Sequence, residues 1–317
     1  MKVHRELAGS LPEFRNAVVT IGTFDGVHKG HQQILSQLKE EAARIGGETV
    51  IITFHPHPRK IVSSVPGDVK LLNTLAEKKI LLEQAGIDHL VVVPFDHHFA
   101  NQSAEEYITD FLYKYFKPHT IIIGYDHRFG KGRTGDYQLL ESYGKQLGFM
   151  VKEITEQLLN EIAVSSTRIR KAITDNDIST ANAALGYPYF FEGLVVEGNQ
   201  LGRTIGYPTA NLHIGSEEKL IPGNGVYAVK VEVTDSPEGF YGGMMNIGLR
   251  PTVDGKKRVI EVHIFDFNKD IYGQHLRVHV WKQLRNEVKF DGLEGLKTQL
   301  AQDKKEALEA LNVKSRS

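Results

Sequence analysis

The sequence predicts two domains of different fold class. An α/β domain on a Rossmann-like parallel sheet occupies residues 1–185, and a small antiparallel β-barrel with a C-terminal helix occupies residues 186–317. Three observations carry this reading. β-rich apolar runs alternate with helical patterns from Ala17 to about Thr155; near Gly186 the pattern changes to glycine-rich β-runs without intervening helices; and a last helical stretch runs from about Leu293 to Leu311. A length of 317 residues also exceeds what one hydrophobic core usually holds.

In the first half the strand candidates are AVVTIG, TVIITF, HLVVVPF, HTIIIG and FMVKEIT. They are continuously apolar, as expected of parallel strands covered by helices on both faces. Between them, QQILSQLKEEAARIG puts Ile34, Leu35, Leu38, Ala42 and Ile45 on one helical face. SAEEYITDFLYKYF opens with Ser103 and Glu106 at capping-box spacing, and TRIRKAITDNDISTANAALG is the last helical stretch before the change. In the second half FFEGLVVEG, TANLHI, GVYAVKVEV, GFYGGMMNIG, RVIEVHIFDF and HLRVHVWKQL read as strands. In RVIEVHIF, Ile260, Val262 and Ile264 share one face, so Glu261 and His263 point to the other. Successive strands of this kind without helices suggest a barrel. No internal repeat joins the halves.

Composition narrows the function. The formal net charge of -1 weighs against a general nucleic-acid binder, which would show a basic stripe, but leaves acidic small molecules as substrates. The absence of cysteine excludes disulfides, zinc-thiolate sites and thiol nucleophiles. MKVHRELAGSLPEF lacks the apolar core of a signal peptide, and no run of about 18 apolar residues occurs. A cytoplasmic protein with no membrane partner is expected; nothing in the sequence sets its oligomeric state.

GTFDGVHKGH, from Gly22 to His31, falls between the first strand and its helix. That is the strand edge where open α/β sheets bind ligands and where helix N-terminal amides attract phosphate. Gly22, Gly26 and Gly30 would let backbone approach a ligand, while His28 and His31 offer N–H donors. A zinc site would need a third ligand and usually the H-E-x-x-H spacing. A plain turn with surface histidines would suit a lone H-x-x-H, whereas here strand, glycines and helix agree on phosphate. SSTRIR, Ser165 to Arg170, reads by itself as a helix N-cap with basic residues. In GNQLGRTIGYPTANL, glycines flank Arg203, and Thr209 and Asn211 stand two apart at a strand start, able to meet at one hard cation. The plainer alternative is a β-turn before an edge strand. Glu261, inside an apolar strand, is costly without a role or partner, although an outward-facing glutamate would also satisfy the alternation. Together these are the parts of phosphoryl transfer to a hydroxyl.

The H-x-G-H pattern after a first strand resembles the signature of the nucleotidyltransferase superfamily, in which the histidines contact ATP phosphates and a late serine-containing motif, here SSTRIR, holds the triphosphate. GTFDGVHKGH in full, with TFHPHP (Thr53 to Pro58) and GYDHRFGKGRTGD (Gly124 to Asp136), narrows the resemblance to bacterial bifunctional riboflavin kinase/FAD synthetases. From about Tyr187 onward P-T-A-N, GVY, NIGLRPT and EVHIFDF resemble riboflavin kinase. One departure is His127, where the family pattern has phenylalanine.

The resemblance implies an enzyme that phosphorylates riboflavin to FMN with ATP and then adenylylates FMN to FAD, releasing pyrophosphate. For adenylylation it implies ATP contacts from Gly22, Phe24, Asp25, His28 and His31, joined by Asp126, Ser165, Ser166, Thr167 and Arg170. Flavin would lie by Phe54, Pro56, His57 and Pro58. For the kinase it implies ATP contacts from Gly198, Gly202, Arg203 and Gly206, Mg2+ and ATP on Thr209 and Asn211, and Glu261 as base toward the ribityl 5'-hydroxyl. LRNEVKFDGLEGL, which could also be a charged connector, resembles the segment beside the flavin, with Asn246, Arg285 and Glu287 as its contacts. An adenylyltransferase for another substrate, or a flavin carrier without turnover, are the alternatives the sequence leaves open.

Overall fold

The computed structural model describes the chain except residues 6, 8–10, 63–69, 155–164, 199–200, 235–238, 253–254, 291 and 313–317. It divides into two compact units, Met1–Ser166 and Thr167–Ser317, a division earlier in the chain than residue 185. The helices after Ser166 go with the second unit because their polar side chains are used there. Asn182 Nδ2 donates to Val280 O at 2.9 Å, and the Tyr227 hydroxyl donates to Asn176 Oδ1 at 2.7 Å.

In the first unit β1 (Lys2–His4), β2 (Val18–Ile21), β3 (Thr49–His55), β4 (His89–Pro94), β5 (Thr120–Gly124) and β6 (Met150–Ile154) form one sheet in the order β1-β4-β3-β2-β5-β6. Every neighbouring pair is parallel. Five strands coincide with the five apolar runs; β1 is an addition, a three-residue edge strand too short to leave a pattern. β2 to β4 extend the sheet one way, then β5 returns to the other side of β2. The carboxyl ends of β2 and β5 therefore flank the switch point at which such sheets bind ligands. Val19, Ile21, Val50, Ile52, Val91 and Val93 point to one face and pack with Tyr107, Ile108, Phe111 and Phe116. Those aromatics lie on a helical stretch that opens with the expected capping box: Ser103 Oγ accepts from Glu106 N at 3.1 Å and Glu106 Oε2 from Ser103 N at 2.8 Å. Helices α1 (Lys29–Ile45), α2 (Leu75–Gln84) and α3 (Tyr137–Leu147) complete the layers.

In the second unit the last helical stretch divides into α4 (Ser166–Thr174) and α5 (Ile178–Leu185). Asn176 at φ 65° breaks it, and Asp177 restarts it by accepting from Thr180 N at 3.1 Å. Strands β7 (Phe190–Val196), β8 (Ala210–His213), β9 (Gly225–Val233), β10 (Phe240–Thr252), β11 (Gly255–Ile264) and β12 (His275–Arg285) close into an antiparallel barrel in the order β10-β11-β8-β7-β12-β9. Closure removes the free sheet edge, and Val231, Met245, Ile247, Val262, Val278 and Val280 are fully buried. Helix α6 (Leu293–Leu311) covers β9 and β10 with Ala307 and Leu311 on Ala228 and Met244.

The far half of α1 is tied down by charge. Glu41 is buried, yet its carboxylate takes Arg44 Nε at 2.9 Å and Nη2 at 2.7 Å, and Lys152 Nζ from β6 at 2.7 Å. The Arg44 hydrogen bond, followed by that of Lys152, outweighs burial and holds the carboxyl at about 2. A carboxyl depressed in the folded state stabilises above its unfolded value and loses that contribution as pH falls toward its folded value. Glu41→Gln is expected to lower stability by about 2 kcal/mol at pH 7, with the gap to wild type closing as pH falls from about 4.5 toward 2. Urea unfolding at a series of pH values measures this; a gap independent of pH would assign Glu41 no ionic role.

Candidate active sites

In the first unit the chain leaves β2 and turns through Gly22 to Val27 before His28 caps α1. The turn is tightly wound, with Phe24 at φ 46°, Gly26 at 88° and the β-branched Val27 at 34°. Side chains avoid that region, so the surroundings must hold it. Phe24, Asp25 and Val27 are buried, and Asp25 Oδ1 accepts from Leu72 N at 2.9 Å and Asn73 N at 3.2 Å. Gly26 therefore supplies left-handed backbone, whereas Gly22 gives room to the Phe24 ring, 3.2 Å from where a Cβ would stand. Gly30 is buried in the first turn of α1.

The two histidines stack, ring centroids 3.8 Å apart and planes at 19°. His28 Nδ1 accepts from His31 N at 3.4 Å, which leaves the ring proton on Nε2. Burial first, then the neighbouring His28 and Lys78, hold His31 well below its ordinary value, so its imidazole is neutral. Its Nδ1 is buried without a hydrogen-bond partner among the described residues. The pair faces the dipole end of a 17-residue helix, a natural anion site.

Ser166 Oγ donates to Asp25 O at 2.9 Å, so the start of SSTRIR meets the GTFDGVHKGH loop. Ser165 beside it is exposed; Thr167 and Arg170 continue the helix in the second unit, exposed and half-buried. At the end of β3, Phe54 meets Phe95 edge-on and Phe99 at a tilt, centroids 5.4 Å and 5.5 Å away. Pro56, His57 and Pro58 follow, half-buried, with His57 Nδ1 accepting from Arg59 N at 3.2 Å. At the end of β5, Asp126 is exposed. His127, 5.9 Å from the Phe129 ring, is pulled down to about 4 by burial, and its Nε2 has no partner among the described residues. Lys78 of α2, buried under the GTFDGVHKGH loop, carried no sequence signal: it is one of two adjacent lysines, and only packing distinguishes it.

In the barrel, register assembles the site. Glu261 of β11 lies directly opposite Asn211 of β8 on one side and Asn246 of β10 on the other, so the three side chains share one face. Thr209, Asn246, Glu261 and Arg285 line one cleft of about 190 Å³, roofed by Leu296 and Leu300 of α6. Thr209 also lines a second cavity with Arg203, Lys269 and Tyr272. A donor in one and an acceptor in the other would therefore meet at its hydroxyl. Glycine is required around this wall: a Cβ on Gly198 would stand 2.1 Å from Asn211 Nδ2, and one on Gly202 2.2 Å from Tyr207 O. Gly206 makes the turn at φ 85°. Glu287 lies over Gly248, where a Cβ would meet its Oε1 at 2.1 Å.

Three partners here escaped the sequence reading. Arg250 Nη2 donates to Glu261 Oε2. His263 Nδ1 donates to Pro208 O at 2.7 Å, and burial holds its ring below the ordinary value. Asp303 of α6, fully buried, accepts from Arg285 Nε at 2.8 Å and Nη2 at 2.7 Å.

Comparison with known proteins agrees with both halves. Residues 11–168 match the FAD synthetase family and residues 185–311 the riboflavin kinase family. The bifunctional riboflavin kinase/FMN adenylyltransferase of Escherichia coli K12 is 39% identical over 292 residues, covering 92% of each chain, and that of Bacillus subtilis is 36% identical, covering 93% of each. A solved structure named a macrolide-efflux protein from Streptococcus pneumoniae is 32% identical with a TM-score of 0.85, covering 96% of this chain and 97% of its own. Efflux is said of that protein; among the described residues of this one, no helix is long and apolar enough to cross a membrane. With both halves matched in order and relatives of this identity along nearly the whole length, the chain belongs to the bifunctional riboflavin kinase/FMN adenylyltransferase family.

Proposed function

We propose that the barrel unit phosphorylates riboflavin and the sheet unit adenylylates the FMN produced, each with its own ATP, in the cytoplasm. The observation that supports this division most directly is that each motif set is complete within one body apart from SSTRIR: the Glu261 cleft belongs wholly to residues 202–303, while the stacked His28/His31 pair belongs to Met1–Ser166.

In the barrel, the riboflavin 5'-hydroxyl attacks the γ-phosphorus of ATP, Glu261 accepts the hydroxyl proton, and ADP leaves. Arg250 engages Glu261 Oε2, so the proton goes to Oε1. Thr209 and Asn211 offer neutral oxygens, which suit Mg2+ as part of a shell that phosphate oxygens complete. When bound, Mg2+ screens the phosphate charge. In the sheet unit, a phosphate oxygen of FMN attacks the α-phosphorus of ATP, and the bond to pyrophosphate breaks. His28 and His31 hold the phosphates at the N-terminus of α1, His31 as a neutral hydrogen-bonding group, with Ser166 keeping the second motif on the loop.

Two variants test the division in one assay that resolves flavins over time. Glu261→Gln is expected to lower FMN formation from riboflavin by about 10²–10⁴ while still converting supplied FMN to FAD. His28→Ala is expected to lower FAD formation by about 10²–10³ and leave FMN formation intact. If either substitution abolishes both reactions in a folded protein, the assignment of one site to each unit is wrong.

A further inference from the structure

The phosphate loop of the first unit rests on a buried cation. Lys78 is 7% exposed, and its Nζ donates to Thr23 O at 2.6 Å and to Thr53 Oγ1 at 3.4 Å. Thr53 Oγ1 itself donates to Thr23 O at 3.2 Å. One ammonium thus joins GTFDGVHKGH to TFHPHP at the carboxyl ends of adjacent strands. Among the described residues no carboxylate lies within ion-pair distance of Nζ. Asp25 of the loop is the charge whose field supports it, and His31 the titratable neighbour that feels it.

Burying an amine without a paired carboxylate is costly, and helix α2 does not need it as its own anchor. Helix α2 is already held three ways: by Asp25 on the Leu72 and Asn73 amides, by a capping box between Thr74 and Glu77, and by Leu82 in its second half, fully buried. An apolar side chain would fill the same place at lower cost. Chemistry at the loop gives a reason for a charge. The stacked histidines are unsuited to supply it, His31 being held neutral, yet ATP and pyrophosphate bring several negative charges.

We infer that Lys78 is the resident cation of the adenylyltransferase loop, a positioning residue that fixes the Thr23 carbonyl and supplies the positive field in which the polyphosphate of ATP and the departing pyrophosphate are held. The inference rests on the phosphate reading of His28 and His31 given above. Burial brings the Lys78 amine down to about 8, against the support of Asp25. The field is therefore present near neutral pH and fades as pH rises through the amine's titration, which bound polyphosphate pushes upward.

The test compares the full chain with Lys78→Met, Lys78→Arg and His28→Ala, following FMN and FAD formation separately from pH 6 to 10. FMN formation is expected to be unchanged in all three. Lys78→Met should lower FAD formation about 10²-fold, chiefly by raising the KM for ATP, and weaken inhibition by added pyrophosphate. Lys78→Arg should recover activity to within about tenfold and remove the alkaline decline near pH 8–9, because a guanidinium stays charged there. Loss of melting temperature in Lys78→Met with KM for ATP unchanged would reduce Lys78 to a structural group and overturn the inference. Should Lys78→Met not fold, Lys78→Arg decides alone: an alkaline limb at the wild-type position overturns it, and a displaced limb supports it. Normal FAD formation by His28→Ala would sink the phosphate reading itself, whereas an impaired His28→Ala beside an unaffected Lys78→Met would sink the Lys78 inference only.

Discussion

A parallel sheet covered on both faces has no solvent-facing side on which to put polar chemistry, and that constraint organises the first unit. β2 and the inner part of β3 are buried residue by residue. Their polar members are satisfied at once: Thr49 Oγ1 on Asp88 Oδ2 at 2.8 Å, Thr53 Oγ1 on Thr23 O. Reactive groups are consequently displaced to the loops leaving the carboxyl ends of the strands, where the order reverses. Loops lack the rigidity of strands, so the price of that displacement is a set of buried anchors. Asp25 on the Leu72 and Asn73 amides, Ser166 on Asp25 O, and Lys78 on Thr23 O convert a loop wound through unfavourable backbone angles into a fixed cradle.

The barrel meets the same need by another route. Its chemistry sits on strands, where antiparallel register sets the spacing of Asn211, Glu261 and Asn246 without further anchors. What then needs fixing is the orientation of charged groups in an apolar cleft, and each described one has a partner: Glu261 with Arg250, Arg285 with Asp303, and the His263 ring on the Pro208 carbonyl. The glycines of this unit serve the same end differently. Gly198 and Gly202 lie where a methyl group would strike Asn211 or the Tyr207 carbonyl, so they admit side chains and backbone that carry the site rather than approach a ligand themselves.

Eleven of the twelve strands among the described residues were legible in the sequence, because hydrophobic runs record burial directly. β1 was not, having three residues at an edge, and the break at Asn176 was not, since a single left-handed asparagine leaves a helical pattern otherwise intact. At the sites, motifs were legible where local sequence sets local geometry: H-x-G-H at a helix start, P-T-A-N at a strand start, Glu261 in an alternating strand. Lys78, Arg250 and Asp303 were not. Each looks in sequence like an ordinary solvated charge, and only tertiary packing makes it buried, paired or both. The protonation of His31 belongs to the same class, because it follows from burial and from a neighbour on another helix.

That last point changes what a pair of histidines in a phosphate loop can be. Rings 3.8 Å apart and nearly parallel would repel if both were protonated, and burial acts against the charged form of His31. The pair is therefore a source of directed hydrogen bonds, with the His28 tautomer set by its Nδ1 contact to the His31 amide. Direction and charge are then separate provisions. The imidazoles and the first-turn amides of α1 supply direction at fixed positions, while net positive charge must come from groups that stay protonated or from a metal ion arriving with the nucleotide. On the proposed function, separating the two lets the loop align a polyphosphate without fixing all the compensating charge on the groups that must release the product.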